Sequence, residues 1–257
     1  MTPLVAGIVG STAAGMMTAL GAVPILMGRG VSAKTQDLLL GFAAGVMLAA
    51  SFFSLIIPSL EVSERLYGAG WPPALVAVIG ILMGGAALLA MDRLIPHRHF
   101  VSGKEGPSSE ALKKIWLFVF AITIHNIPEG LAVGIGFGGG DFAAGMELAI
   151  GIGLQNAPEG LAVALALQSE GYSKIYAFVV AGLTGMVEPV AGAIGAATVG
   201  ISEFVLPWGL TFAAGAMIYV ISHEIIPETH RRGHQDAATI GLMIGLVLML
   251  FLDVSLS

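Results

Sequence analysis

The chain of 257 residues is 56% hydrophobic and only 11% charged, with mean hydropathy +0.89 and formal net charge −6. A soluble domain carries about 25% charged residues, so a water-soluble globule is excluded, and the acidic balance argues against a nucleic-acid partner. Cysteine is absent, which removes both a disulfide framework and a thiolate metal site.

Crossing about 30 Å of hydrocarbon takes roughly 20 apolar residues in a helix. Eight stretches qualify, at about 3–28, 38–60, 72–92, 114–137, 142–168, 174–200, 204–226 and 237–253. The first lacks the basic opening of a signal peptide and runs on too far, so it reads as a span. The chain is therefore expected to be one all-α integral membrane domain over 1–257.

The second span carries Met47, Ser54 and Glu61 at intervals of seven, one stripe of an unbroken helix. Gly41/Gly45, Gly80/Gly84 and Gly241/Gly245 are small-xxx-small patterns that let helices approach closely. Packing within the chain is favoured over a dimer face. After the third span comes a polar loop at about 97–113, with His97, His99, Gly103, Gly106 and Pro107.

The fourth span reads His125-Asn126-Ile127-Pro128-Glu129-Gly130, and the fifth Gln155-Asn156-Ala157-Pro158-Glu159-Gly160. Each is followed by Leu-Ala-Val. A charged side chain at mid-bilayer costs roughly 2.5–3.5 kcal/mol on an insertion scale, so such residues mark function. At 100° per residue, Glu129 falls between His125 and Asn126 on one helix face. Gln155, Glu159 and Asn156 repeat this placement. If the helices face each other, the glutamates meet in the middle and can bridge two adjacent cations. Pro128 and Pro158 remove helix hydrogen bonds to Ile124 and Leu154, whose carbonyls then need other partners.

The sixth span adds Glu188, followed by Pro189, as a third intramembrane carboxylate. Near the end of the seventh lie His223 and Glu224, then Glu228, His230 and His234. A catalytic Ser222-His223-Glu224 set is excluded, because adjacent helix positions point in different directions.

With alternating sides, Arg29, Lys34, Arg93, Arg98, Lys104, Lys113, Lys114, Lys174, Arg231 and Arg232 share one face of the membrane. Arg65 stands alone on the other. The basic side is cytoplasmic, which places both termini outside.

These residues resemble the ZIP metal transporters, most of all the bacterial GufA-type branch. The likeness covers the whole chain, and the doubled motif is specific. The resemblance implies eight transmembrane helices in a 3+2+3 arrangement with inverted repeats, elevator-like alternating access, and a homodimer in the inner membrane with periplasmic termini. It implies a binuclear site: one metal on His125, Glu129, Gln155 and Glu159, the other on Asn126, Glu129, Asn156, Glu159 and Glu188. It also implies a transport pathway with Met47, Ser54 and Glu61 outward, and His223 and Glu224 toward release. Asn156 departs from the family pattern, in which a carboxylate can hold this place. His97 and His99 are fewer loop histidines than the His-rich members carry.

The sequence thus reads as a transporter, not an enzyme, that brings a divalent cation into the cytoplasm. Imidazole, amide and carboxylate ligands suit Zn²⁺, Cd²⁺, Mn²⁺, Co²⁺ or Fe²⁺ better than Cu⁺, and Zn²⁺ is the first expectation. No nucleotide-binding loop is present to couple ATP. An intramembrane metalloprotease needs a His-Glu-x-x-His motif that the chain lacks. A metal-gated channel or metal sensor is the alternative, and flux kinetics separate it from a carrier.

Overall fold

The structure, a computed structural model, describes residues 1–28, 31–94, 109–169, 171–230 and 233–256. His97, His99 and the expected loop up to residue 108 lie outside the described residues, as do Arg29, Arg231 and Arg232. Residues 109–113, expected in that loop, are already helical.

Eight long helices account for most of the described chain. They are α1 (Pro3–Leu26), α2 (Ala33–Tyr67), α3 (Trp71–Leu94), α4 (Ser109–Gly138), α5 (Phe142–Ser169), α6 (Lys174–Ile201), α7 (Leu206–His230) and α8 (Gln235–Leu256). No strand occurs among the described residues. Seven stretches there are long and apolar enough to cross a membrane, in every helix except α4. α4 is itself 30 residues long.

Local chemistry explains several boundaries. Thr2, Ser32, Asp141 and Ser173 each accept a backbone N–H at a helix start. Trp71-Pro72-Pro73 opens α3. A proline costs little in a first turn, where its missing N–H has no partner to lose. α2 outruns the expected 38–60 at both ends, because a helix does not stop where its hydrophobic stretch does.

Two helices widen midway. α2 is π-helical over Ala50–Ile56 and α7 over Ile221–Ile225. The N–H of Ile57 bonds Phe52 O, and that of Ile226 bonds Ile221 O, each five residues back. A proline follows each, Pro58 and Pro227. Its ring would clash with the carbonyl four positions back in an α-helix, and the wider turn relieves that clash. Upstream, Phe42-Ala43-Ala44-Gly45-Val46-Met47 recurs as Phe212-Ala213-Ala214-Gly215-Ala216-Met217. α6 breaks at Met186–Val187, and Glu188 opens its second half.

The main helix pairs are α2 with α8, α3 with α7, α1 with α5, and α4 with the second half of α6. Glycines set their closeness. A Cβ on Gly45 would strike the Leu242 backbone, and one on Gly245 the Phe42 backbone. Gly84 meets Phe212 and Gly215 meets Ile81 in the same way. All three small-xxx-small patterns therefore face seams within this chain. Between α1 and α5, Gly21 lies on Ala157 and Gly160 on Thr18; between α4 and α6, Gly130 lies on Glu188 and Gly134 on Gly192.

Leu20, Leu82, Val190 and Phe251 stay exposed on the outside of the bundle, as lipid-facing residues do. Aromatic clusters mark both ends. Trp116 Nε1 donates to Tyr172 OH at 3.0 Å beside Tyr176 at one end. Trp208 Nε1 donates to Tyr67 OH at 3.3 Å at the other.

Candidate metal site

α4 and α5 carry the two motifs without interruption, prolines included. The motif glycines press each helix against a different neighbour: Gly130 brings α4 onto the break in α6, and Gly160 brings α5 onto α1. Glu188 reaches the same interior because α6 restarts there. His125, Asn126, Glu129, Gln155, Asn156, Glu159 and Glu188 are all at most 3% exposed.

Two hydrogen bonds form within this set, and two contacts lead out of it. Gln155 Nε2 donates to Glu129 Oε1 at 2.5 Å. Asn156 Nδ2 donates to Glu188 Oε1 at 2.7 Å and to the Ala14 carbonyl at 2.9 Å. His125 Nε2 lies 2.9 Å from Glu224 Oε1, linking α4 to α7.

The remaining polar atoms are the informative ones. Glu129 Oε2, both oxygens of Glu159, Glu188 Oε2, Gln155 Oε1, Asn156 Oδ1 and both amide atoms of Asn126 have no hydrogen-bond partner among the described residues. An unpaired buried polar group costs about 1–3 kcal/mol, and unpaired groups are normally few. Here they gather in one place, and most are oxygens. Among the described residues, however, no three His, Asp or Glu side chains close around a single point as placed. Amides hold Glu129 and Glu188, and Glu224 holds His125.

The five pathway residues divide. Met47 is buried, and Ser54 is 6% exposed. Glu61 lies on the surface. The π-helical segment falls between Met47 and Glu61, so the seven-residue stripe assumed for an unbroken α-helix is not kept. His223 is exposed and packs on the Tyr219 ring, centroids 4.9 Å apart. Glu224, 17% exposed, is the one that reaches the motif.

Sequence reading missed Glu147, Asp253 and Asp37, the partners of two residues it did name. Ser54 Oγ donates to Glu147 Oε1 at 2.5 Å and lies 3.2 Å from Asp253 Oδ1, joining α2, α5 and α8. The buried Asp37 lies 2.8 Å from His234 Nδ1. A lone carboxylate near a helix end carries no signal of its own. Its partners are distant in sequence, and only the helix pairing brings them together.

Asn156→Asp tests the site's balance. Asparagine gives Glu188 and Ala14 an N–H; aspartate has only acceptors and would set carboxylate against carboxylate. Without metal the variant should unfold several degrees lower, given about 2–4 °C per kcal/mol at this size. Added zinc should recover more stability than in the unmodified protein. Equal metal-free melting temperatures would show that the Asn156–Glu188 contact does not form.

Buried carboxylates, amides and an imidazole on paired membrane helices define the class as a membrane protein that handles cations. Residues 97–253 match the family described as ZIP Zinc transporter. Zinc transporter GufA of Myxococcus xanthus is 47% identical over 251 residues, covering 98% of this chain and 99% of the relative. Zinc transporter ZIPB of Bordetella bronchiseptica is 47% identical over 252 residues, covering 97% and 81%. Zinc transporter ZIP11 of Homo sapiens is 34% identical over 321 residues, covering 93% and 94%. The chain belongs to the ZIP family, whose members are transporters rather than enzymes.

Proposed function

We propose that this protein carries a divalent cation, Zn²⁺ foremost, across the inner membrane into the cytoplasm. The observation that supports it best is the cluster of unpartnered oxygens on Glu129, Glu159, Glu188, Gln155 and Asn156 deep in the bundle. A cation would satisfy several at once. One position uses His125, Glu129, Gln155 and Glu159. The other uses Asn126, Glu129, Asn156, Glu159 and Glu188. Loading requires Gln155 and Asn156 to exchange an N–H donor for their free carbonyl oxygen, and His125 to leave Glu224. The zinc in the relatives' names fits this oxygen and nitrogen donor set, as do Cd²⁺, Mn²⁺, Co²⁺ and Fe²⁺.

The fold reading is eight spans, with α4 as the eighth, in a 3+2+3 arrangement. Exchange α1 with α6, α2 with α7, α3 with α8, and α4 with α5. The α2–α8 pair then becomes α7–α3, and α1–α5 becomes α6–α4. The repeated Phe-Ala-Ala-Gly-x-Met segments and the paired π turns fall on exchanged helices. Inverted repeats of this kind suit alternating access. Within the pairs, several glycines meet backbone, such as Gly45, Gly84, Gly160 and Gly130. Between α4 and α7, Gly209 meets the Ile135 side chain, and between α5 and α8, Gly151 meets that of Met249. At these two contacts, motion between α1, α4, α5 and α6 on one side and α2, α3, α7 and α8 on the other would disturb side chains. Family likeness carries the homodimer.

Uptake into proteoliposomes with competing cations tests the reading. Saturable zinc uptake, reduced by Cd²⁺ and untouched by Mg²⁺, is expected. No uptake would sink it, and very fast unsaturable flux would favour a channel. Orientation is tested separately. Ser63 is fully buried, so the exposed Glu64 and Lys34 are the better sites for single cysteines. Glu64→Cys should react with a membrane-impermeant maleimide from outside intact cells, and Lys34→Cys only after lysis. The reverse pattern would overturn import.

A further inference from the structure

Thr18 is fully buried in α1, and its hydroxyl has no hydrogen-bond partner among the described residues. A helical threonine usually donates to the carbonyl one turn back. For Thr18 that carbonyl belongs to Ala14, which already receives Asn156 Nδ2 at 2.9 Å. The residue is wedged between two parts of the site. Its backbone presses on Gly160, next to Glu159. A Cβ built on Gly185, the last residue before the α6 break, would come within 2.7 Å of Thr18 Oγ1. One turn earlier, a Cβ on Gly15 would come within 3.4 Å of Glu188 Oε1. So a buried donor without an acceptor lies one turn from Gly15, which faces the Glu188 carboxylate, and the second oxygen of that carboxylate, Oε2, lacks a donor among the described residues.

A hydroxyl left in this condition is a cost to the metal-free fold. Valine fills nearly the same volume without it. The geometry points to Thr18 as a positioning residue for the second cation position: when Glu188 turns toward a cation, Thr18 Oγ donates to the carboxylate oxygen that the cation leaves uncoordinated. Carboxylates that bind metal are themselves held by hydrogen bonds, and losing such a partner costs about 10–100-fold in affinity. Asn156 is the hydrogen-bond donor that restrains Glu188 among the described residues. In the loaded state Asn156 turns its carbonyl oxygen inward, and Thr18 takes over as donor. The residue thus serves the passage of the cation rather than the stability of the resting helix bundle.

This inference rests on the transport reading, and the experiment separates the two. Thr18→Val and Thr18→Ser proteins are purified without metal. Their thermal unfolding is followed, and zinc binding is titrated by calorimetry with metal stoichiometry. Thr18→Val should unfold at or above the unmodified temperature, while zinc binding at the second position weakens about 10–100-fold. Thr18→Ser should restore that affinity. Zinc binding by Thr18→Val equal to the unmodified protein would overturn the inference. So would Thr18→Ser failing as badly as Thr18→Val, which would assign the effect to the methyl group. Lower metal-free stability of Thr18→Val, or its failure to fold, would give the hydroxyl a structural partner and also overturn the inference. Absence of zinc binding by the unmodified protein would instead overturn the transport reading.

Discussion

Glu129→Ala and Glu159→Ala proteins, reconstituted in vesicles, will each take up zinc at about 1% of the unmodified rate or less. Losing a group that merely orients a ligand costs about 10–100-fold, and each of these glutamates is proposed to serve both cation positions directly. The two differ in their effect on the fold. Glu129 accepts the Gln155 amide, so its removal leaves that buried N–H unmated. Both oxygens of Glu159 lack partners among the described residues, so Glu159→Ala should keep, or slightly raise, the stability of protein purified without metal. Uptake near normal in either folded variant would refute the shared-carboxylate site. His125→Ala, which touches one proposed position only, should be the milder change.

Gly160→Ala and Gly130→Ala will both be strongly damaging single-methyl additions. The new Cβ of one would strike the Thr18 carbonyl, and that of the other the backbone at Glu188. Overpacking in a tight core costs about 1–3 kcal/mol even where side chains can adjust, and backbone adjusts less. At about 2–4 °C per kcal/mol, the melting temperature should fall by at least about 5 °C. Uptake should fall with it, because the motif helices are pushed off the partners that place Glu188 and Asn156. Gly200→Ala is the matched control. It lies in α6 with nothing within 4 Å of the added carbon, so it should melt within about 1 °C of the unmodified protein or gain from the helix preference of alanine. Three indistinguishable melting curves would show that these seams are not close-packed.

What the sequence makes legible follows from what kind of pattern each feature leaves. The spans are visible because hydropathy is a property of a continuous stretch. The doubled Asn-x-Pro-Glu-Gly motif is visible because carboxylates in apolar runs are costly and rare. The joining of Asn156 to Glu188, or of Ser54 to Glu147 and Asp253, is not visible, since helix pairing decides it. The helical wheel that placed Glu129 between His125 and Asn126 assumes one rotation per residue, which an α-helix such as α4 keeps. The same assumption fails across Ala50–Ile56, and there the stripe of Met47, Ser54 and Glu61 dissolves. Proline at Pro58 and Pro227 hints at disturbance but does not say whether a helix kinks, breaks or widens. Pro128 and Pro158 lie within α-helix that neither breaks nor widens, while Pro189 follows a break. The recurrence of Phe-Ala-Ala-Gly-x-Met was open to inspection and shows only when the chain is compared with itself.

A π turn holds one residue more than the α turn it replaces, and that surplus residue can be handed along a helix. Each step trades a few backbone partners and swings the residue passed by about 100°, while the helix on either side stays in register. Ser54 sits inside one such turn, and His223 and Glu224 inside the other. Ser54 joins α2 to Glu147 on α5, and Glu224 joins α7 to His125 on α4. A travelling surplus residue would therefore let each helix release its polar partner by re-aiming one side chain, like a ratchet tooth, with no helix melted and no backbone dipole stranded in lipid.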